Sequence, residues 1–202
     1  EIKKMHQSGI VDFQAHGLTH TWYNASDKII DIYDGENFYP HLIWNNPEND
    51  KSKWLQDFIK PKIGTPVFEY KKSLELDSMF KVHDSRIEKL TSMYDPKKDK
   101  IENIQAYNSY VESFPEFGTY ESEDESAERL TQELKGAKDV LEELIGTPIN
   151  YLVFPGGGKS KKTIEISRKS GYKLISQGKE PNAFNSKVYQ VSRYSAVYSF
   201  PK

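Results

Sequence analysis

The chain has 202 residues, enough for one substantial domain or for a domain carrying a large insertion. Its residues are 36% hydrophobic and 29% charged with a net charge of −2, so nothing points to nucleic acid or an anionic membrane as partner. No stretch reaches the ~20 apolar residues of a membrane span, and the absence of cysteine excludes disulfides and thiolate metal sites, leaving His, Asp and Glu as metal ligands.

Residues 1–8 read as the end of a helix stopped by Gly9. The chain begins Glu1-Ile2-Lys3-Lys4 in mid-helix, without methionine, so further sequence is expected upstream. No signal peptide is visible. Ile10 to Ala15 reads as a strand, followed by a turn carrying His16 and His20. Residues 22–118 read as an irregular, aromatic-rich insertion with prolines at 40, 47, 61, 66, 96 and 115. Within it Pro66 to Tyr70 is predicted as a strand, and Ser85 to Met93 and Lys100 to Ser113 as short helices. The whole of 1–202 is taken as one domain with 22–118 inserted.

Periodicity returns after residue 119. Ser122 to Ile145 is predicted as an amphipathic helix with Ala127, Leu130, Leu134, Ala137, Leu141, Leu144 and Ile145 on one face. Acidic residues fill its first turns, where the helix dipole favours negative charge, and Gly146 and Pro148 end it. Ile149 to Phe154 reads as a strand, Ser160 to Ser170 as a helix closed by Gly171, and Tyr172 to Ser176 as a strand. Strand, helix, strand at this spacing is a βαβ unit, so the fold class is α/β with a parallel sheet. A last strand is predicted between Tyr189 and Val197.

Two of the chain's five histidines, His16 and His20, stand four apart at a strand end. That spacing lets both imidazoles meet one ion if the backbone between them makes a helical turn, and neutral imidazole is a common zinc ligand. The same pair can also cap a turn or face solvent. Gly156-Gly157-Gly158-Lys159-Ser160 invites a phosphate-loop reading, but the required first glycine is replaced by Val153, and Pro155 intrudes. A tight strand-to-helix turn, or a loop whose backbone amides form an oxyanion hole, are its other readings.

Three features in order carry a resemblance. They are the strand ending in His16-x-x-x-His20, the long acidic-starting helix ending in Gly146-Thr147-Pro148, and the strand ending in Phe154-Pro155-Gly156-Gly157-Gly158 before a helix and Gly171-Tyr172. Together they resemble the polysaccharide deacetylases of the NodB homology type, carbohydrate esterase family 4. The resemblance is clearest over 1–24 and 119–195. It implies a distorted (β/α) barrel, lacking its first strand in this chain. It also implies a divalent ion, usually zinc, held by an aspartate and two histidines. Water on that ion attacks the acetamide of an N-acetylated sugar in a bacterial surface polysaccharide. By position His16 and His20 would be metal ligands, the backbone amide of Gly156 the oxyanion donor, and Pro155 the residue shaping that loop. The implied compartment is the bacterial cytoplasm or cell envelope, in soluble form.

The departures are specific. The family's first motif, with a base aspartate and a ligand aspartate, has no match here. Asp12 is a weak substitute, placed by alternation on the face of Gln14 and His16; a solvent-facing strand carboxylate is its plainer reading. Val153 replaces the arginine of the third motif. No histidine follows His83, so the general acid would fall to His83 or His41, whose plainer reading is a surface histidine; Asp84 beside His83 reads as a helix cap. Arg193 is a candidate for substrate binding or an ordinary ion pair. Of the insertion's aromatic residues most are expected in a core, and Trp22 and Tyr23 are kept as a sugar-stacking platform. Lys159, Lys161 and Lys162 read as a solvated face, or as a site for a glycan phosphate. The alternatives to a deacetylase are a silent relative that binds glycan and a nucleotide-binding protein using the GGGKS loop.

Overall fold

The structure, a computed structural model, describes residues 1–46, 49, 58–177 and 190–192. The chain divides into two compact units, Glu1–His20 with Ala127–Lys202, and Thr21–Ser126. It is mixed α/β. Its strands form three small sheets of two, two and three strands, and none of them closes among the described residues. No described helix is long and apolar enough to cross a membrane.

The first unit begins with α1 (Ile2–Gln7), stopped at Gly9, whose φ of 71° suits glycine. The expected strand from Ile10 to Ala15 shrinks to a single parallel bridge between Ala15 and Leu152. There Ala15 N–H donates to Tyr151 O at 3.1 Å and Val153 N–H donates to Ala15 O at 2.8 Å. Ile10 to Gln14 have no ladder partner among the described residues, and Ile10 is 88% exposed, so nothing flattens that stretch into a strand.

The βαβ unit forms as its periodicity predicts. β5 (Tyr151–Val153) and β6 (Leu174–Gln177) pair in parallel, joined by α6 (Lys161–Lys169), and β7 (Gln190–Ser192) extends the sheet in parallel beside β6. The remainder of the predicted final strand lies outside the described residues. Leu152, Phe154 and Ile175 are fully buried, as expected of a parallel strand covered on both faces.

The long helix α5 (Glu123–Ile145) buries Leu130, Leu134, Ala137 and Ile145. Of the rest of its predicted face Ala127 and Leu141 are half-buried and Leu144 is 46% exposed, while Glu133, a carboxylate, is buried among the apolar positions at 5% exposure. The C-terminal end of α5 is tied to the strand that follows. Glu142 accepts the Ile149 N–H at 2.8 Å and pairs with Lys138 at 2.8 Å. The Lys138 ammonium stands 5.2 Å above the Tyr172 ring, and the Tyr172 hydroxyl donates to Leu134 O at 2.8 Å.

The second unit is more regular than its sequence suggests. β1 (Trp22–Ile32) pairs antiparallel with β2 (Pro66–Lys72), and β3 (Phe80–Val82) pairs antiparallel with β4 (Gly118–Tyr120). Helices α2 (Pro40–Trp44), α3 (Asp84–Ser92) and α4 (Lys100–Glu112) complete it. β1 escapes a sequence reading because Asn24, Ser26 and Asp27 are poor strand formers and its register shifts on both sides of Ile29. At that irregularity Asn108 of α4 accepts the Ile29 N–H and donates to the Ile29 carbonyl, both at 2.9 Å. A side chain amide thus satisfies backbone groups where the ladder is uneven. Lys100, at the start of α4, bridges Asp31 at 3.1 Å and Asp34 at 2.8 Å. The core of this unit is Ile29, Ile32, Phe68, Phe80, Leu90, Tyr107, Val111 and Phe117.

Candidate metal centre

His16 and His20 come together, but not through a helical turn. The segment between them is a bend in which Gly17 (φ 84°) and His20 (φ 51°) both take the left-handed conformation. For a residue with a Cβ this costs roughly 1–2 kcal/mol, and such residues gather at functional sites. His20 is the only non-glycine residue at positive φ among those described.

The two ring centres are 5.2 Å apart, tilted by 46°. Zinc–nitrogen bonds of about 2.0–2.1 Å put each ring centre about 3.2 Å from an ion, and a tetrahedral angle between them then separates the centres by about 5.2 Å. The observed spacing fits that geometry. Both histidines are exposed, so an ion has access.

The His16 ring is oriented by the backbone. Its Nδ1 lies 2.7 Å from the Val153 carbonyl. A carbonyl oxygen only accepts, so Nδ1 carries the proton and Nε2 keeps the lone pair a metal needs. A backbone carbonyl behind a ligating imidazole is the usual second support of a metal site. Val153 is the last residue of β5, so the histidine segment and the glycine loop meet at one strand end, where sites of α/β folds collect.

The loop after β5 is a tight turn. Gly157 N–H donates to Phe154 O and Gly158 N–H to Pro155 O, each at 3.0 Å. Pro155 is buried and Gly156, at φ 54°, is exposed. Ser160 then caps α6, its hydroxyl accepting the Thr163 N–H at 3.2 Å. A phosphate loop would place that hydroxyl on Mg²⁺; here it closes the helix.

Asp12 is engaged by the Gln14 side chain and lies 4.0 Å from His6 Nδ1. No group of three or more His, Asp or Glu side chains able to hold a metal is found among the described residues, so the pair has no third ligand there. Trp22 and Tyr23, half-buried, pair with Lys72 and Lys71 in the β1–β2 ladder of the second unit. His83 is exposed and occupies the N-cap position of α3; Asp84, expected as the cap, is the first helical residue. His41 is no surface histidine, being 2% exposed. Tyr33 and Phe68 are buried as expected, whereas Phe38 is 59% exposed. Arg193 and Trp54 lie outside the described residues.

Glu133 was not legible as a site residue. Its Oε1 accepts the Thr19 N–H at 2.8 Å and its Oε2 the Thr19 hydroxyl at 2.9 Å. Its own carbonyl accepts the Leu18 N–H at 3.1 Å. Helical spacing puts it on the stripe of Leu130 and Ala137, but among the many acidic residues of α5 nothing local points to Thr19 as its partner.

Comparison with known proteins bears on the same elements. The family model of polysaccharide deacetylase matches residues 108–175, which span α5, β5 and the Phe154–Gly158 loop but not the histidine pair. A search of the curated proteins finds no match. Among solved structures, the BpsB deacetylase domain from Bordetella bronchiseptica is similar with a TM-score of 0.51 and 15% identity, over 95% of this chain and 46% of that one. A de-N-acetylase from Aggregatibacter actinomycetemcomitans is similar with a TM-score of 0.47 and 15% identity, over 95% and 45%. This chain therefore spans just under half the length of these two. At 15% identity the BpsB likeness bears on fold alone. The family read from the motifs is the one whose model matches residues 108–175.

Proposed function

We propose that this polysaccharide-deacetylase-type chain is part of a metal-dependent hydrolase that removes N-acetyl groups from an amino sugar of a bacterial surface polysaccharide. The observation that carries the reading is the His16–His20 pair, with ring centres 5.2 Å apart and His16 Nδ1 held on the Val153 carbonyl. The reaction consumes one water and leaves acetate and a free amine. The reading implies a distorted barrel, of which the three-stranded parallel sheet and the Ala15 bridge would be one arc.

In this reading His16 and His20 hold a divalent ion, zinc by the character of two imidazole donors. Such an ion supplies a Lewis acid and lowers the pKa of water bound to it. The Val153 carbonyl keeps His16 in the tautomer that leaves Nε2 to the ion. The Gly156 amide serves the developing oxyanion, and buried Pro155 holds the loop that presents it. Asp12 is engaged by the Gln14 side chain beside His6, and the proposal does not rest on it. Trp22, Tyr23 and His83 belong to the second unit, and the proposal does not rest on them.

One observation favours a second reading, a silent relative that binds glycan: the described residues bring no third ligand to the pair. The two are separated by replacing His16 and His20 with alanine in the full-length protein, singly, and following acetate release from N-acetylhexosamine oligosaccharides together with bound metal. Loss of both is expected. Undiminished deacetylation in either variant would overturn the assignment, and glycan binding without acetate release in the wild type would favour the silent relative.

A further inference from the structure

Glu133 stands in the middle of α5 on the face that buries Leu130, Leu134 and Ala137. A buried carboxylate is costly unless its oxygens are hydrogen-bonded. Here both are, and both to one residue: Oε1 to the Thr19 N–H and Oε2 to the Thr19 hydroxyl. The Glu133 carbonyl adds a third bond, from the Leu18 N–H. One residue therefore holds the two positions that lie immediately before His20. The helix also runs close to that bend. A Cβ at Gly136, one turn beyond Glu133, would come within 3.2 Å of Leu18 Cδ2. Glycine inside a helix costs about 0.8–1 kcal/mol relative to alanine, and at this place it leaves room for the bend to seat.

We propose that Glu133 is the positioning residue of the histidine pair. It fixes Leu18 and Thr19, so that His20 is kept in its left-handed conformation with its ring beside that of His16. His16 is held from the other side by the Val153 carbonyl. The two supports come from α5 and β5 and grip opposite ends of a five-residue segment. An apolar side chain at 133 would cover the helix face equally well; the carboxylate adds a defined geometry for the bend. The inference rests on the metal reading of the pair.

The test uses the full-length protein stripped of metal, titrated with Zn²⁺ and with Co²⁺, whose visible absorption reports ligand geometry. Glu133→Ala is expected to weaken both ions by about 10–100-fold, the usual effect of losing an outer support, and to alter the Co²⁺ bands. Glu133→Gln keeps an acceptor for the Thr19 N–H and is expected to recover most of the affinity. Thermal melts of the metal-free variants show whether they fold. If Glu133→Ala does not, Thr19→Val decides, because it removes only the hydroxyl contact; a several-fold loss of affinity is expected. Wild-type affinity and spectrum in a folded Glu133→Ala protein, or in Thr19→Val where that variant decides, would overturn the proposal. A wild-type protein that binds neither ion removes the metal reading itself, and this inference with it.

Discussion

His41 is buried with its ring stacked on Tyr70, centres 4.0 Å apart, and neither ring nitrogen has a hydrogen-bond partner among the described residues. Burial pushes its pKa down to about 4, because a charged imidazole loses its water there. The folded-state pKa lies below the unfolded value of about 6.5. Its contribution is therefore complete above about pH 6.5 and is lost as pH falls toward 4, by up to about 1.4 kcal/mol per pH unit for one proton. His41→Phe keeps a ring against Tyr70 and removes the proton. Urea unfolding of both proteins at pH 7, 6 and 5 should show a shallower fall for the variant; equal slopes would refute the argument. At this scale the sequence was informative about residue type and silent about environment. The spacing of His16 and His20 was visible in it. The left-handed φ of His20 was not, and neither was the Glu133 clamp, whose two ends lie 114 positions apart.

Helices announced themselves because their signals are local. α4 begins at a reciprocal cap in which Asp99 accepts the Glu102 N–H at 2.8 Å and Glu102 accepts the Asp99 N–H at 3.1 Å. Asp99→Ala should cost about 0.5–2 kcal/mol, read as a lower melting temperature and faster amide exchange in the first turn of α4. An unchanged melting temperature would show that Lys100, bridging Asp31 and Asp34, anchors this end alone. Strands were harder. β5 and β6 are apolar runs between glycine and proline signals and could be read directly. β1 could not, because it takes its shape from β2, more than thirty residues away, and from Asn108. The predicted strand at Ile10–Ala15 failed for the converse reason. Its pattern suited a strand, but only Ala15 finds a partner among the described residues.

The family model matches residues 108–175, mostly in the first unit, and reaches only the C-terminal end of the second. The resemblance rode on short motifs at strand ends. The second unit has no such motif, and its order comes from contacts between distant residues. Phe68 illustrates this. It is 2% exposed, pairs with Ile29 in the β1–β2 ladder, and its ring lies 6.3 Å from that of Phe80 and 6.2 Å from that of Phe117. Four segments thus meet on one side chain. Truncation of a buried phenylalanine to alanine costs about 3–5 kcal/mol, a large share of the roughly 5–15 kcal/mol that holds a domain folded. Phe68→Ala should therefore speed amide exchange throughout β1, β2 and α4, not only at its neighbours, because those elements share one cluster. Ile10→Ala, at a position 88% exposed, removes an apolar side chain of similar kind without this consequence. If both variants exchange alike in β1, β2 and α4, the Phe68 cluster is not what holds the second unit together.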